Sequence, residues 1–269
     1  MHVQIGIVCC DLVHQIEHAD ALQEGLRKHG IGARRYEEGQ PVEEAVVACW
    51  GWRIGSRLRA QGKRVMILER GYMGDRLRWT SIAWNGLNGR ATFPAWQGSD
   101  ARFWEHFSHL LKPWQPEGRY ALLVGQVEGD MAVADVNLAQ WYEQTAHALR
   151  DRFRMPVYFR PHPESLKYGG QREVDHASTI TGALSDALAG AAVVITYNSN
   201  TGVEAILAGK PTIAFDAGSM VYDVAARSLY AQGEPERMAW AERLAWRQWK
   251  FDEIRDGSAL VPHMGMLTA

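Results

Sequence analysis

Residues 193–215 read VVITYNSNTGVEAILAGKPTIAF, and this stretch decides the fold class of the chain. An apolar, β-branched run is followed by a small polar turn and a short helical segment, which ends at the sequence GKP, residues 209–211. A second apolar run follows directly. This order predicts a strand–helix–strand unit whose two strands lie parallel in a buried sheet.

The polar turn of this unit, residues 198–202 (NSNTG), lies between the end of the first strand and the start of the helix. Backbone N–H groups at a helix start have no partners within the helix, and the helix dipole is positive there, so the position favours phosphate. In an open α/β sheet, such a turn is where the phosphates of a nucleotide bind.

Strand and helix patterns alternate along the rest of the chain, which predicts an α/β fold with parallel sheets. The predicted strands are at residues 2–9, 45–49, 64–68, 120–124 and 157–160, and the predicted helices are at residues 15–29, 53–61, 100–111, 136–153 and 183–188. Residues 80–94, which are rich in Gly, Asn and Trp, are predicted to be irregular.

Residues 112–118 (KPWQPEG) mark a linker, because two prolines and a glycine cannot continue a helix. The predicted organisation is an N-terminal domain at residues 1–112, a linker at 113–118, a C-terminal domain at 119–234 and a C-terminal helix and tail at 235–269. We expect two facing Rossmann-like domains. A last helix from Pro235 to about Asp252 carries three tryptophans that need a surface to bury against, and it is expected to pack across the domain junction.

The composition of the 269-residue chain narrows the class of protein. The sequence has no run close to the roughly 18 apolar residues of a membrane span, and its first residues lack a signal-peptide pattern. We therefore expect a soluble, cytoplasmic protein. Its three cysteines form no CxxC pair, which favours reduced, buried thiols over a metal or redox site.

The net charge of −2 is unevenly distributed. In residues 53–90, nine Arg and Lys side chains stand against two acids, which gives this basic stretch a charge of +7. Tryptophans and a tyrosine lie in or beside it, and a basic surface with aromatics suits an anionic partner such as nucleic acid or a phosphorylated or carboxylated glycan. The alternative for Arg57, Arg59, Lys63 and Arg64 is a solvated helix face.

Candidate nucleotide-binding residues follow the predicted strands of the second half. Gly125 and Gln126 follow one strand, where a glycine would let backbone N–H groups approach a ligand, although a plain turn is an equal alternative. Arg160 and His162 follow the next strand in the sequence RPHP, whose prolines stiffen the loop. A lone His is most often structural, but a rigid one beside an Arg is a candidate phosphate or base contact.

The polar turn adds Ser199, Asn200, Thr201 and Gly202 to these candidates. The hydroxyl groups of the serine and the threonine can donate to phosphate. Glu204, one turn into the helix, can accept from ribose hydroxyls. Its alternative role is that of a surface carboxylate that stabilises the helix start.

The first half offers carboxylates at strand ends. Glu69 follows the third predicted strand and could act as a general base. Its alternative is an ion pair with a neighbouring Arg, which the basic stretch makes easy. Asp11 and His14, after the first strand, are weaker candidates by the same positional argument.

Several common chemistries have no motif in this sequence. GxGxxG, Walker A, GxSxG and HExxH patterns are all missing. No Asp-x-Asp pair offers carboxylates to a nucleotide-bound divalent metal. The sequence therefore favours a metal-independent reaction without a cofactor.

Several of these motifs together resemble a known family. They are residues 125–128 (GQVE), 160–163 (RPHP), 198–199 (NS), 204–205 (EA) and 209–211 (GKP). In this order they are similar to the nucleotide-binding half of the capsule polysaccharide synthesis glycosyltransferases, Kdo transferases of GT-B fold related in motif to bacterial sialyl- and polysialyltransferases. More loosely, residues 49–53 (CWGWR) and 68–72 (LERGY) resemble that family's Trp-Gly-Arg and Glu-Asp-Gly-Phe segments.

This resemblance implies roles for particular residues. His162, Ser199 and Thr201 would hold the donor nucleotide and its phosphate. Glu69 matches the first acid of a motif that resembles the catalytic base of the sialyltransferases. The second acid of that motif is Arg70 here, a departure from the family pattern.

We therefore expect a GT-B glycosyltransferase that moves a sugar from a nucleotide-sugar donor to an acceptor hydroxyl, with Glu69, His162 and Asp11 as catalytic candidates. The acceptor would be a glycan, or a hydroxymethylpyrimidine in DNA as in phage DNA glucosylation, bound through the basic stretch. One alternative is a nucleotide-sugar 2-epimerase of the same fold, in which the His-Pro and Gly-Lys-Pro elements also occur. The other is a non-catalytic nucleotide-binding module in which Glu69 is only ion-paired.

Overall fold

The computed structural model describes residues 3–95, 98–167, 173–229 and 233–269. It divides into two compact units: the first comprises Met1–Glu105 with Glu242–Ala269, and the second comprises His106–Ala241. The chain thus enters the second unit before the predicted linker, and its last part belongs to the first unit.

The strands alternate with helices through most of the chain. In chain order the strands of the described residues are β1 (Gln4–Cys9), β2 (Gly32–Glu37), β3 (Val46–Trp50), β4 (Arg64–Arg70), β5 (Trp79–Trp84), β6 (Tyr120–Val124), β7 (Val157–Arg160), β8 (Ser178–Thr179), β9 (Ala191–Thr196), β10 (Thr212–Ala214) and β11 (Gln248–Lys250).

The helices pack on both sheets. In chain order those of the described residues are α1 (Val13–Lys28), α2 (Trp52–Ala60), α3 (Ala101–His106), α4 (Leu138–Phe153), α5 (Pro163–Lys167), α6 (Leu184–Gly190), α7 (Thr201–Leu207), α8 (Arg237–Ala245), α9 (Phe251–Asp256) and α10 (Met264–Thr268).

The sheet of the first unit has the strand order β11-β5-β4-β3-β1-β2. Strands β1 to β4 are mutually parallel, whereas β5 and β11 are antiparallel to their neighbours. The chain moves outward from β1 to β2 on one side and through β3 and β4 on the other. The carboxyl ends of β1 and β3 therefore flank a topological switch point, where open α/β sheets bind their ligands.

The sheet of the second unit is parallel throughout, with the order β10-β9-β6-β7-β8. This is the Rossmann arrangement, in which the first strand is central and the connections run outward in both directions. Its switch point lies between β6 and β9. The described chain thus contains two Rossmann-like units, which confirms the predicted α/β class.

The predicted elements of the second unit match the structure closely. Strands β6 and β7 have the predicted limits, and the helix predicted at 136–153 is α4. Helix α4 begins after Asn137, whose Oδ1 accepts from Gln140 N at 3.1 Å, which is a normal N-cap. The Pro-rich segment is neither helix nor strand, and Lys112 N and Gln115 N donate to backbone oxygens of the same unit.

Strands β2 and β5 were not predicted from the sequence. Residues 80–94 were predicted to be irregular, yet β5 covers Trp79–Trp84 and pairs with both β4 and β11. All six of its residues are buried, so it has no alternation of apolar and polar side chains to reveal it. The strand predicted at 2–9 begins at Gln4 in the structure, and Met1 and His2 lie outside the described residues.

The long helix predicted from Pro235 to about Asp252 is wrong. Helix α8 stops at Ala245, and the chain then forms β11 on the edge of the first unit's sheet before α9 begins. Gln248 in β11 is fully buried, so pairing with β5 outweighs the helical preference of this segment. The expected packing of a helix across the domain junction stays a prediction.

Arg102 of α3 holds this C-terminal segment in place. Its guanidinium donates to the carbonyl oxygens of Ala245 and Gln248 at 3.0 and 2.9 Å, and to both carboxylate oxygens of Glu253 at 2.7 and 2.6 Å. It also lies 4.3 Å from the ring centre of Trp249.

No helix in the described residues is long and apolar enough to cross a membrane.

Candidate functional site

The candidate site of the second unit is built on the loops that follow β6 and β9, on either side of the switch point. Gln126 Nε2 donates to Asn198 Oδ1 at 2.7 Å, and Asn198 N donates to Gln126 Oε1 at 3.0 Å. Tyr142 of α4 accepts from Gln126 N at 2.7 Å. These bonds fix both loops where a ligand of this fold is expected.

Asp216 completes this network and was missed by the sequence analysis. Its Oδ2 accepts from Asn198 Nδ2 at 2.9 Å and from Gly218 N at 2.9 Å. Asn198 Nδ2 also donates to Ala132 O at 2.8 Å, so the buried Asn198 amide uses both donors and its oxygen within the protein. Asn198 therefore positions the loops rather than binding a ligand itself. The signal for Asp216 was its place just after β10, whose carboxyl end lies at the same edge of the sheet.

Two predicted glycines stand where a side chain would be crowded by its neighbours. A Cβ on Gly125 would lie 3.0 Å from Arg160 O, because the ends of β6 and β7 converge there. A Cβ on Gly202 would lie 2.9 Å from the side chain of Val221. Both glycines therefore let the elements around the switch point approach one another.

The polar turn is held by two hydroxyl oxygens, one at the end of β9 and one in the turn itself. Thr196 Oγ1 accepts from Ser199 N at 2.8 Å, and Ser199 Oγ accepts from Thr201 N at 3.2 Å. Asn200 O accepts from Val203 N at 2.8 Å, which starts α7. The hydroxyl hydrogen of Ser199 stays a donor in this arrangement. Glu204, in the first turn of α7, is half-buried.

Arg160 and His162 stand at the end of β7, on the other side of β6 from the polar turn. Arg160 donates to Gly182 O at 2.8 Å. His162 Nδ1 accepts from Glu164 N at 3.1 Å, and the neutral ring then carries its proton on Nε2. The spacing of two strands places this residue roughly 10 Å from the polar turn.

Glu69 and Asp11 belong to the carboxyl edge of the first unit's sheet. Glu69 is half-buried at the end of β4 beside Gly51, at which a Cβ would lie 3.4 Å from Glu69 Oε1. Glu69 Oε2 accepts from Arg70 N at 3.2 Å. Asp11 follows β1 and is exposed. The ring of His14 packs edge to face against the Trp50 ring, with 5.2 Å between the ring centres. Glu69 and Asp11 thus lie in the first unit, and the nucleotide-binding candidates lie in the second.

The three cysteines are free thiols, but Cys9 and Cys10, which were expected to be buried, are half-buried. Cys49 is buried, and its burial together with the nearby Glu69 carboxylate raises the pKa of its thiol. Cys10 donates to Glu38 at 3.0 Å, and this hydrogen bond raises the pKa of Cys10 to about 11. Neither thiol has the lowered pKa that a nucleophile needs.

No family model matches the sequence, and neither does any curated protein. Solved structures do match. The β-Kdo 2,4 transferase of KpsC from Thermosulfurimonas dismutans is 17% identical, with 93% of this chain and 92% of that chain covered and a TM-score of 0.65. The β-Kdo 2,7 transferase of the same protein is 12% identical, with 98% and 99% covered and a TM-score of 0.60.

This chain has the fold of these transferases. The likeness confirms the predicted GT-B type of fold, since the matched region covers nearly the whole of this chain and of each transferase. A UDP-GlcNAc 2-epimerase from Methanocaldococcus jannaschii is also similar, with 11% identity and a TM-score of 0.36 over 98% of this chain and 99% of that chain.

Proposed function

We propose that this protein is a glycosyltransferase that moves a sugar from a nucleotide-sugar donor to an acceptor hydroxyl. The observation that supports it best is the Gln126–Asn198 pair at the switch point of a Rossmann-like unit, in a chain with the fold of two Kdo transferases. Kdo is therefore the first sugar to test.

The donor would bind along the carboxyl edge of the second unit's sheet. In the proposal, Ser199, Asn200, Thr201 and the backbone at Gly202 hold the phosphate, and Glu204 accepts from ribose hydroxyls. On the other side of β6, the Nε2–H of His162 would donate to the phosphate or to the base, with Gly125, Gln126 and Arg160 forming the floor between them.

The chemistry would need a base on the acceptor side. In the proposed reaction the Glu69 carboxylate takes the proton of the acceptor hydroxyl, and the hydroxyl oxygen bonds to the anomeric carbon. The bond from that carbon to the phosphate oxygen breaks, and the nucleotide leaves with the electron pair. Hydrogen bonds from His162 and from the polar turn would stabilise the charge that develops on the phosphate.

The role of Glu69 and the identity of the base each need a separate test. If the configuration at the anomeric carbon is retained, Glu69 would act as the nucleophile instead. Asp11, at the same edge of the sheet, is the second candidate for the base. We propose that the reaction uses no metal ion, so that donor consumption is the same with and without EDTA.

Thermal shift with CMP, CDP, UDP and GDP tests the proposed donor site. A nucleotide at a hundredfold its Kd stabilises a protein by ~2.7 kcal/mol, and we expect one of the four to do so. Ser199→Ala and His162→Gln should reduce that shift, whereas the control Ser178→Ala, on the exposed edge strand β8, should leave it unchanged. No shift with any of the four nucleotides would contradict the proposal.

A further inference from the structure

The first unit has an open pocket of ≈ 320 Å³ that the sequence analysis did not foresee. It lies between α1, the end of β4, the start of β5 and α9. Three arginines line it, namely Arg70, Arg78 and Arg255, and the carboxylate among its lining residues is that of Glu17. Among the lining residues the guanidinium groups therefore outnumber the carboxylate.

One wall of this pocket is fixed by a neutral histidine. His18 Nδ1 lies 2.6 Å from His14 O, and its Nε2 lies 2.9 Å from Thr80 Oγ1. Burial lowers the pKa of His18, and the nearby Arg70 guanidinium lowers it further. Because a carbonyl oxygen can only accept, Nδ1 carries the proton and Nε2 accepts from the threonine.

The guanidinium groups of the pocket keep donors for a ligand. Arg70 lies over the Trp50 ring at 5.3 Å. Arg78 is 3.4 Å from Asp75, and Arg255 is 3.8 Å from Glu24 and 3.9 Å from Asp252, all longer than an ordinary hydrogen bond. A guanidinium has five N–H donors in a planar fork, so it can bind a carboxylate or phosphate with two parallel bonds.

The rest of the basic stretch points to a compact anion rather than to a nucleic-acid track. Arg57 pairs with Glu38 at 2.7 Å, Lys63 donates to Val42 O at 2.7 Å, and Arg64 donates to the backbone of Ala269 at 2.6 Å. Arg64 and Arg70 stand at opposite ends of β4, roughly 20 Å apart. The positive charge of the basic stretch is therefore divided between the two ends of β4. The arginines at the carboxyl end of β4 line the pocket.

The size and the apolar walls of the pocket fit one sugar residue. Leu77 and Phe251 supply apolar surface beside the arginines, and Leu77 is 73% exposed. Small-molecule sites are typically of about 300–1,000 Å³ and combine apolar walls with a few polar groups that fix orientation. This pocket is at the lower end of that range.

We propose that this pocket binds a sugar residue that bears a carboxylate or a phosphate monoester, through Arg70 and Arg78. Resting on the proposed transfer reaction, this sugar is part of the acceptor. The first unit would then select acceptors by their negative charge. This selection would not depend on which nucleotide the second unit binds.

Calorimetry with the full chain and no nucleotide tests the pocket. The probes are glucuronate, glucose 6-phosphate and glucose, which distinguish a carboxylate, a phosphate and an uncharged sugar. We expect one of the two anions to bind and glucose not to bind. Arg70→Gln and Arg78→Gln should each weaken the anion by about tenfold, the usual effect of losing a charge-assisted hydrogen bond.

Arg59→Gln is the matched control, because Arg59 is an exposed arginine of the same stretch on α2. It should not change the affinity. The side chain of Arg78 is 83% exposed, so its variant keeps the test valid even if Arg70→Gln lowers stability. Equal binding of glucose, unchanged binding in both variants, or no binding of either anion would overturn the proposal.

A short DNA duplex is the competing occupant. If the duplex binds and Arg59→Gln weakens it as much as Arg70→Gln does, the basic stretch acts as one surface and the pocket proposal is wrong. Because no nucleotide is present, failure here leaves the proposed donor site untouched. Likewise, a missing nucleotide shift would leave sugar binding in this pocket intact.

Discussion

Gln126 and Asn198 exchange two hydrogen bonds, of 2.7 and 3.0 Å, between the loops that follow β6 and β9. The backbone N–H of Asn198 takes part in one of them, so the pair fixes the path of the chain and not only two side chains. Asn198 is also the first residue of the polar turn. The geometry of the proposed phosphate site thus depends on a side-chain pair that would not itself contact the phosphate.

Asn198→Ala should remove the centre of this network. The Gln126 amide and the Asp216 carboxylate would each lose a partner in a buried site, so we expect the free energy of unfolding to fall by about 2 kcal/mol. The thermal shift by nucleotide should also disappear. Asn137→Ala is the control, because it removes an exposed N-cap at a cost of about 1 kcal/mol and should keep the nucleotide shift. A full nucleotide shift in Asn198→Ala would contradict the positioning role.

Arg102→Met should destabilise the first unit strongly. The substitution leaves the Glu253 carboxylate without its bidentate partner and removes the donors to the backbone of β11. Breaking a buried ion pair costs about 3–5 kcal/mol, and the half-buried Glu253 places this case near the lower value. Urea denaturation measures the loss, with Arg27→Met, an exposed residue of α1, as control. A change equal to that of the control would show that β11 holds without Arg102.

His263 should make stability depend on pH below neutrality. Its Nδ1 accepts from Trp84 Nε1 at 2.9 Å, and burial lowers the pKa of His263 to about 4. In the unfolded chain this histidine binds a proton near pH 6.5, whereas in the folded protein it stays neutral at that pH. The contribution of His263 to the free energy of unfolding is therefore complete above about pH 6.5 and is lost as the pH falls towards 4.

The slope of this loss is about 1.4 kcal/mol for each pH unit. Urea denaturation at pH 7 and pH 5 measures it, and His263→Gln should flatten the difference between the two. His147→Gln is the control, because the His147 side chain is 63% exposed. If the wild type and His263→Gln lose the same stability between these pH values, the histidine is not the cause.

The sequence predicted the second unit better than the first for a physical reason. Strands such as β6 and β9 are apolar runs bounded by turn residues, and each is followed by a helix with one apolar face. In the first unit, β5 and β11 are defined by their pairing with each other. Trp249 pairs with Thr80 across a long stretch of chain, and local pattern carries no information about such a partner.

The candidate site follows the same division. Positions at strand ends can be read from the sequence, because parallel strands end at one edge, and this is how Gln126, His162 and Ser199 were chosen as candidates. The partners that fix those positions cannot. Asp216 also follows a strand, but its hydrogen bond to Asn198 is visible only in the folded structure. The pocket lined by Arg70, Arg78 and Arg255 also needs α9, of which only the first two residues fell within the helix predicted from the sequence.

Glu69→Gln should separate catalysis from binding. If Glu69 is the base, the amide cannot take the proton of the acceptor hydroxyl, and transfer should fall by about 10²–10⁴-fold. The thermal shift by nucleotide should stay at the wild-type value, because the nucleotide-binding candidates belong to the second unit. Glu37→Gln, on an exposed residue at the end of β2, is the control and should keep full activity. If transfer is unchanged in Glu69→Gln, the role of the base passes to Asp11. If the wild type binds nucleotide but consumes no donor, the protein is a binding module in which Glu69 has no catalytic task.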